Sequence, residues 1–256
     1  AGSLGQVREC SQRLQRYAKS TKTPIILVGH VTKEGSVAGP KTLEHLVDAV
    51  LSMEGDGVYS FRLLRSVKNR FGSTFEVGVF EMGDEGMVEI PNPSKLFLSQ
   101  RQANRPGSAV CATIAGGRPL VCEVQALVSK TAYGIPTRRV TGLDFNRVQV
   151  VIASLARAAN IALGTMDIYV NVAGGLKVVE PASDLAVAAA IYSAYVNKAT
   201  KARICVFGEV GLLGELREVG SSKNRMIEAK RLGFTDFIVP DKFKTVEAAV
   251  KYAVSG

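Results

Sequence analysis

Lys68-Asn69-Arg70-Phe71-Gly72 lies between two strand-like runs, 60–67 and 74–82. Two such runs joined by a short glycine-containing turn predict an antiparallel hairpin. A third run, 50–54, extends it into a meander joined by glycine-rich turns. The tip is unusual in its charge. A solvated turn needs Gly or Asn, not a Lys and an Arg aimed the same way. Two readings stand: a solvent-exposed basic hairpin, or a finger inserted into a phosphate site on a neighbouring subunit. In the second, Arg would supply forked bonds and Lys a point charge.

The residues before the hairpin predict helix, buried strand, helix. Val7, Cys10, Leu14 and Tyr17 recur at helical spacing across 6–20. Residues 24–28, Pro-Ile-Ile-Leu-Val, form a continuous apolar run, the pattern of a strand buried on both faces. Gly29 and His30 end it, where ligands collect in open α/β sheets. Pro40 opens a helix with Leu43, Leu46 and Val47 on its inner face. This is half of an α/β domain, and no G-x-x-x-x-G-K-[ST] occurs anywhere in the chain. The 256 residues therefore contain no P-loop for ATP phosphates, and their first residue, Ala1, is not Met, so a fragment is expected.

Pro91 and Pro93 disfavour continued strand or helix, Leu96, Phe97 and Leu98 anchor a linker, and polar residues 99–106 form the junction. Beyond it, strands are predicted at 109–114 and 119–129, with Val121, Glu123, Gln125 and Leu127 sharing a face. Asp144 caps a helix bearing Val148, Val151, Ile152, Leu155 and Ala159. A strand at 167–172, an apolar helix at 185–196 capped by Ser183 or Asp184, and further strands and helices follow to residue 254.

The net charge is +9, and its distribution is the informative part. Residues 1–98 hold 12 Lys/Arg against 11 Asp/Glu, whereas residues 99–256 hold 20 against 12. An anionic partner for the C-terminal part is the natural expectation. Cys10, Cys111, Cys122 and Cys205 lack C-x-x-C spacing, so neither a metal site nor a disulfide framework is expected. There is no apolar run of about 18 residues and no signal-peptide pattern, which points to a cytoplasmic chain without a membrane partner.

KNRFG at 68–72, with GHVTKEG at 29–35 and AGP at 38–40, resembles the bacterial RadA/Sms DNA-repair family. The later strings NVAGG at 171–175, EPASD at 180–184 and GEVGLLGE at 208–215 resemble the Lon protease domain, in particular the Lon-like domain of that family. The implied fold is α/β: a partial RecA-like ATPase core over 1–98, then a Lon-protease-like α+β domain over 99–256. The implied activity is a DNA-dependent ATPase that drives branch migration in homologous recombination. It would use ATP and Mg2+ in the complete protein and neither in this chain alone. The implied partners are DNA, a homo-oligomeric ring, expected as a hexamer, and a RecA-type recombinase. Lys68, Asn69 and Arg70 would contact the ATP of the next subunit, with Lys68 and Arg70 stabilising the transferred phosphoryl group. His30 would be a γ-phosphate sensor; the alternative is a hydrogen-bonded histidine at a strand end. Residues 32–35, Thr-Lys-Glu-Gly, would face DNA or nucleotide.

Lon proteases use a Ser-Lys dyad. The matching positions here are Ala182, which has no hydroxyl, and Lys223, so a vestigial, non-proteolytic site is expected. The competing expectation is a peptidase that uses Ser183, one residue along. With the site disarmed, the basic excess suggests a ring scaffold that holds DNA. Arg138 and Arg139 beside Pro136, with Arg147, are the candidate phosphate contacts; a solvated surface pair is the alternative. The cluster Arg217, Lys223, Arg225, Lys230 and Arg231 ranks below them.

Overall fold

The computed structural model describes residues 4–29, 43–55, 61–72, 74, 77–115, 117–132 and 134–255. Helix α1 (Leu4–Thr21) is amphipathic as its spacing predicts. Residues 23–29 join no sheet, and Ile26 and Val28 are 88% and 95% exposed. The expected doubly buried strand is therefore not formed. A central strand needs a hydrogen-bonding neighbour on each edge and a layer on each face, and none of the described residues supplies them. The expected helix from Pro40, the sensor candidate His30 and the loop 32–35 lie outside the described residues, apart from a short helical turn at 43–44.

The meander forms as predicted. Strands β1 (Ala49–Gly55), β2 (Phe61–Asn69), β3 (Val77–Gly83) and β4 (Gly86–Glu89) pair antiparallel in that order. Lys68 lies opposite Val50, so KNRFG begins at the end of β2 and turns back toward β3. Helix α2 (Pro93–Leu98) follows, so the prolines start a helix where a linker was expected. Pro93 costs nothing at the first helical position, where its missing N–H has no intrahelical role, and the Asn92 side chain accepts the Lys95 N–H as a cap.

A six-stranded mixed sheet organises the remainder. Its strands are β5 (Ser108–Ala115), β6 (Arg118–Lys130), β7 (Arg138–Thr141), β8 (Met166–Val172), β9 (Ile204–Val206) and β12 (Asp236–Ile238), in the order β12-β9-β5-β6-β8-β7. A two-stranded ribbon, β10 (Glu209–Val210) and β11 (Leu216–Arg217), stands apart. Helices α3 (Phe145–Ala158), α4 (Asp184–Val196) and α6 (Val246–Ala253) cover one face, meeting Cys122, Val124, Ile168, Val170 and Val172. Helix α4 is apolar on all sides because the sheet, α3 and α6 enclose it. Helix α5 (Ser222–Arg231) and Leu98 of α2 cover the other face, over Val110, Val121, Cys205 and Phe237. The alternation of β6 is as read: even-numbered Cys122 and Val124 face α4, odd-numbered Val121 the opposite layer.

Candidate functional site

Three places in the described structure hold the residues to which the sequence assigned chemistry. The first is the hairpin tip. Arg70 donates its backbone N–H to Asp48 O at 2.9 Å, and the Asn69 side chain accepts the Phe71 N–H at 3.1 Å, a local turn. The two cations do not point the same way. Lys68 Nζ donates to the carbonyls of Glu44 at 2.5 Å and Val47 at 2.8 Å, anchoring β2 to the turn before β1. Arg70 stays 54% exposed, with one 3.4 Å contact to Asp48, and Phe71 is fully presented to solvent beside it. Among the described residues of the tip, the arginine is the more exposed cation.

The second place surrounds Pro181, Ala182 and Ser183, a single 3-10 turn entering α4. Ala182 and Ser183 are buried, and the Ser183 hydroxyl donates to Glu180 O at 3.0 Å. Neither Ser183 nor Asp184 caps α4 by its side chain, contrary to expectation, because both are engaged elsewhere. Lys223 is exposed on the first turn of α5, and no hydrogen bond joins it to Ser183. The buried charged residue of that helix is Arg225, 2% exposed. It makes a fork to Glu180, Nη1 to Oε1 and Nη2 to Oε2 at 2.6 Å each, and also donates to Ala112 O and Gly220 O. Glu180 accepts further bonds from Thr113 Oγ1 and the Ile114 N–H. Burial raises the Glu180 pKa, but these donors outweigh it and hold the carboxyl below its usual range.

Across the same turn, buried Asp184 receives Arg147 Nε at 3.0 Å and Nη2 at 2.5 Å, and the Val210 N–H at 3.1 Å. Arg147 also reaches Glu209 at 3.1 Å. These bonds, above all the one to Asp184, raise the Arg147 pKa, while burial keeps Asp184 above the usual carboxylate range. Arg147 is thus a structural cation, not a free phosphate contact. Two acids and two arginines, on the strap 180–184, α3 and α5, clamp the turn that carries Ala182. Glu180, Asp184 and Arg225 were missed as a set. Their signal was two carboxylates flanking a run that is otherwise too apolar to leave them unpaired.

The third place is β7. Adjacent residues of a strand face opposite ways, so Arg138 and Arg139 cannot act as a pair. Arg138 turns to the helical layer and donates to the carbonyls of Leu163, at 2.7 Å, and Met166. Burial lowers its pKa. Arg139 is exposed on the other face with no partner among the described residues, and of the three residues read as phosphate contacts it is the one that stays exposed.

Residues 124–242 match a family model described as subunit ChlI of Mg-chelatase. The chain is also similar to proteins named DNA repair protein RadA. It is 49% identical to that of Bacillus subtilis over 93% of this chain and 52% of the relative. It is 50% identical to that of Streptococcus pneumoniae over 93% and 57%, and 49% identical to that of Listeria monocytogenes over 94% and 52%. The chain spans about half the length of the curated relatives it matches. Over the part of those proteins that it matches, this chain closely resembles the bacterial proteins named DNA repair protein RadA.

Proposed function

We propose that this chain serves an ATP-driven DNA repair motor. Residues 1–98 act as part of a RecA-like core, and residues 99–256 as a Lon-protease-like domain without peptidase activity. The observation that carries this reading is the near 50% identity to RadA proteins along more than nine-tenths of the chain. In the complete protein, ATP and Mg2+ are bound by a P-loop that this sequence lacks. Arg70 then stabilises the neighbour's transferred phosphoryl group in a ring expected to be hexameric, with Asn69 shaping the turn. Lys68 is part of the same assignment, but its hydrogen bonds to Glu44 O and Val47 O favour a role in aiming the tip. His30 remains the proposed γ-phosphate sensor. DNA, held by the basic C-terminal part, and a RecA-type recombinase are the proposed partners. Branch migration in a cytoplasmic recombination pathway is the proposed outcome.

The exposed arginine at the hairpin tip supports the trans-acting role, and the engaged Ser183 and exposed Lys223 favour the non-proteolytic one. The test uses a protein extended to the length of its relatives and carrying a P-loop. Arg70→Ala should lower DNA-stimulated ATP turnover by about 1,000-fold or more, as loss of an arginine finger does. Turnover within a few fold of the parent would overturn the role.

A further inference from the structure

The hairpin that carries Arg70 is held on both of its strands. On the entry strand, Lys68 Nζ is tied to the turn before β1. On the exit strand the hold comes from the six-stranded sheet. Val77 opens β3, opposite Arg65 of β2, and its carbonyl accepts Arg118 Nη1 at 3.2 Å. Arg118 is the first residue of β6, and its other terminal nitrogen, Nη2, donates to Pro91 O at 3.1 Å. One planar guanidinium, with its donors in a fixed fork, thus spans the start of β3 and the turn that leads into α2. The Ile90 N–H donates to Val79 O at 2.8 Å and closes the same end of the meander onto β3.

The support behind that guanidinium is firm. Strand β6 pairs with β5 without interruption from Arg118 to Gln125. Helix α2, just beyond Pro91, is seated on the same strand. Ser94 is fully buried; its hydroxyl accepts the Val121 N–H at 3.1 Å and donates to Glu228 Oε1 of α5 at 2.8 Å. Phe97 is buried against Gly174, where a Cβ would stand 2.7 Å from the ring. Pro91 is therefore fixed at the foot of a seated helix, and Arg118 ties Val77 to it.

A cation that meets a phosphoryl group on another subunit works only from a fixed base, since a displacement of about 1 Å costs about 100-fold in rate. Lys68 fixes the entry strand of this hairpin and Arg118 the exit strand. We infer that Arg118 is a positioning residue for Arg70, so that the six-stranded sheet sets where the arginine of the tip stands. The inference rests on the trans-acting reading of Arg70 and adds to it the residue that aims the finger from the C-terminal part of the chain.

The kinetic test uses a protein extended to the length of its relatives and carrying a P-loop. Arg118→Ala should lower kcat for DNA-stimulated ATP turnover by about 100-fold and leave KM for ATP largely unchanged. Arg118→Lys, which keeps a donor for Val77 O, should recover part of that loss. In an Arg70→Ala background, Arg118→Ala should have no further effect on kcat, because no finger is left to aim. An equal loss in both backgrounds would make Arg118 a general structural residue and overturn the inference. Parent-like turnover in Arg118→Ala beside an impaired Arg70→Ala overturns it too and leaves the finger standing. Parent-like turnover in Arg70→Ala removes the finger and the inference together. A second measurement needs no nucleotide and uses this 256-residue chain. Hydrogen exchange in Arg118→Ala should quicken across residues 77–90, with the amides of β5 and β9 as slow as in the parent. Protection unchanged across 77–90, or lost in β5 and β9 as well, overturns the inference.

Discussion

Arg225 and Glu180 meet end to end, each terminal guanidinium nitrogen donating to its own carboxylate oxygen at 2.6 Å. Breaking a buried pair from one side leaves the other charge uncompensated, which costs about 3–5 kcal/mol. Arg225→Met is therefore expected to lower the urea midpoint by that order, with the double variant Glu180→Leu/Arg225→Met recovering part of it. A single variant indistinguishable from the parent would mean that the pair contributes no net stability.

The same clamp predicts that a hydroxyl alone does not create a peptidase. Ala182→Ser should show no hydrolysis of fluorogenic peptides and no labelling by a fluorophosphonate probe. Position 182 is buried within the strap, and Lys223 stays on the surface. Stoichiometric labelling of that variant would refute this.

Acid should act through Glu180 and Asp184 with opposite signs. The folded-state pKa of Glu180 is depressed: burial opposes the shift, and the Arg225 fork with the Thr113 and Ile114 donors overcomes it. Its stabilisation is present above the unfolded value of about 4.3 and is lost as pH falls from there through the folded pKa. Asp184 is raised by burial, so its protonation on acidification favours the folded state. Stability measured by urea unfolding at successive pH values should fall less steeply below about pH 4.3 in Glu180→Gln than in the parent. In Asp184→Asn the fall should be steeper. Identical slopes in all three would exclude both contributions.

The two arginines of β7 should separate cleanly. Arg138→Ala removes donors to Leu163 O and Met166 O, at about 1.5–3 kcal/mol for hydrogen bonds to a charged group. Arg139→Ala, an exposed change, should stay within about 0.5 kcal/mol. Thermal melting of the two variants decides this, and equal losses would contradict the split.

Lys68→Met should loosen the hairpin root before it alters the tip. With its bonds to Glu44 O and Val47 O gone, hydrogen exchange should quicken across residues 44–50. Protection unchanged from the parent would show that the ammonium does not hold that turn.

The architecture was largely legible in local signals. Period-two alternation located the meander and β6, and Asp144 capped α3 as its position implied, accepting the Arg147 N–H at 2.7 Å. The apolar run and the two ion-paired arginines, Arg147 and Arg225, were misjudged for one reason: reading them required knowledge of neighbours. The apolar run at 24–28 reads as a buried strand only where flanking strands exist. Pro91 and Pro93 read as a break, but Asn92 between them is a cap. The Arg138-Arg139 pairing ignored a rule available from sequence, since successive strand residues diverge. Arg147 and Arg225 looked like surface charge because their partners, Asp184 and Glu180, are 37 and 45 residues away. The hold of Arg118 on Val77 and Pro91 was invisible, because the approach of β6 to β3 is a property of the folded chain.

Gly174 has a consequence for how far that mount can drift. A methyl group at this position would collide with the Phe97 ring and push α2 outward, carrying Pro91 and the grip of Arg118 with it in one step. The station of the hairpin and the seating of α2 on β6 therefore hang on a single α-carbon. Variation that re-aims the tip has to come from the hairpin itself, because the joint between helix and sheet has no room to give.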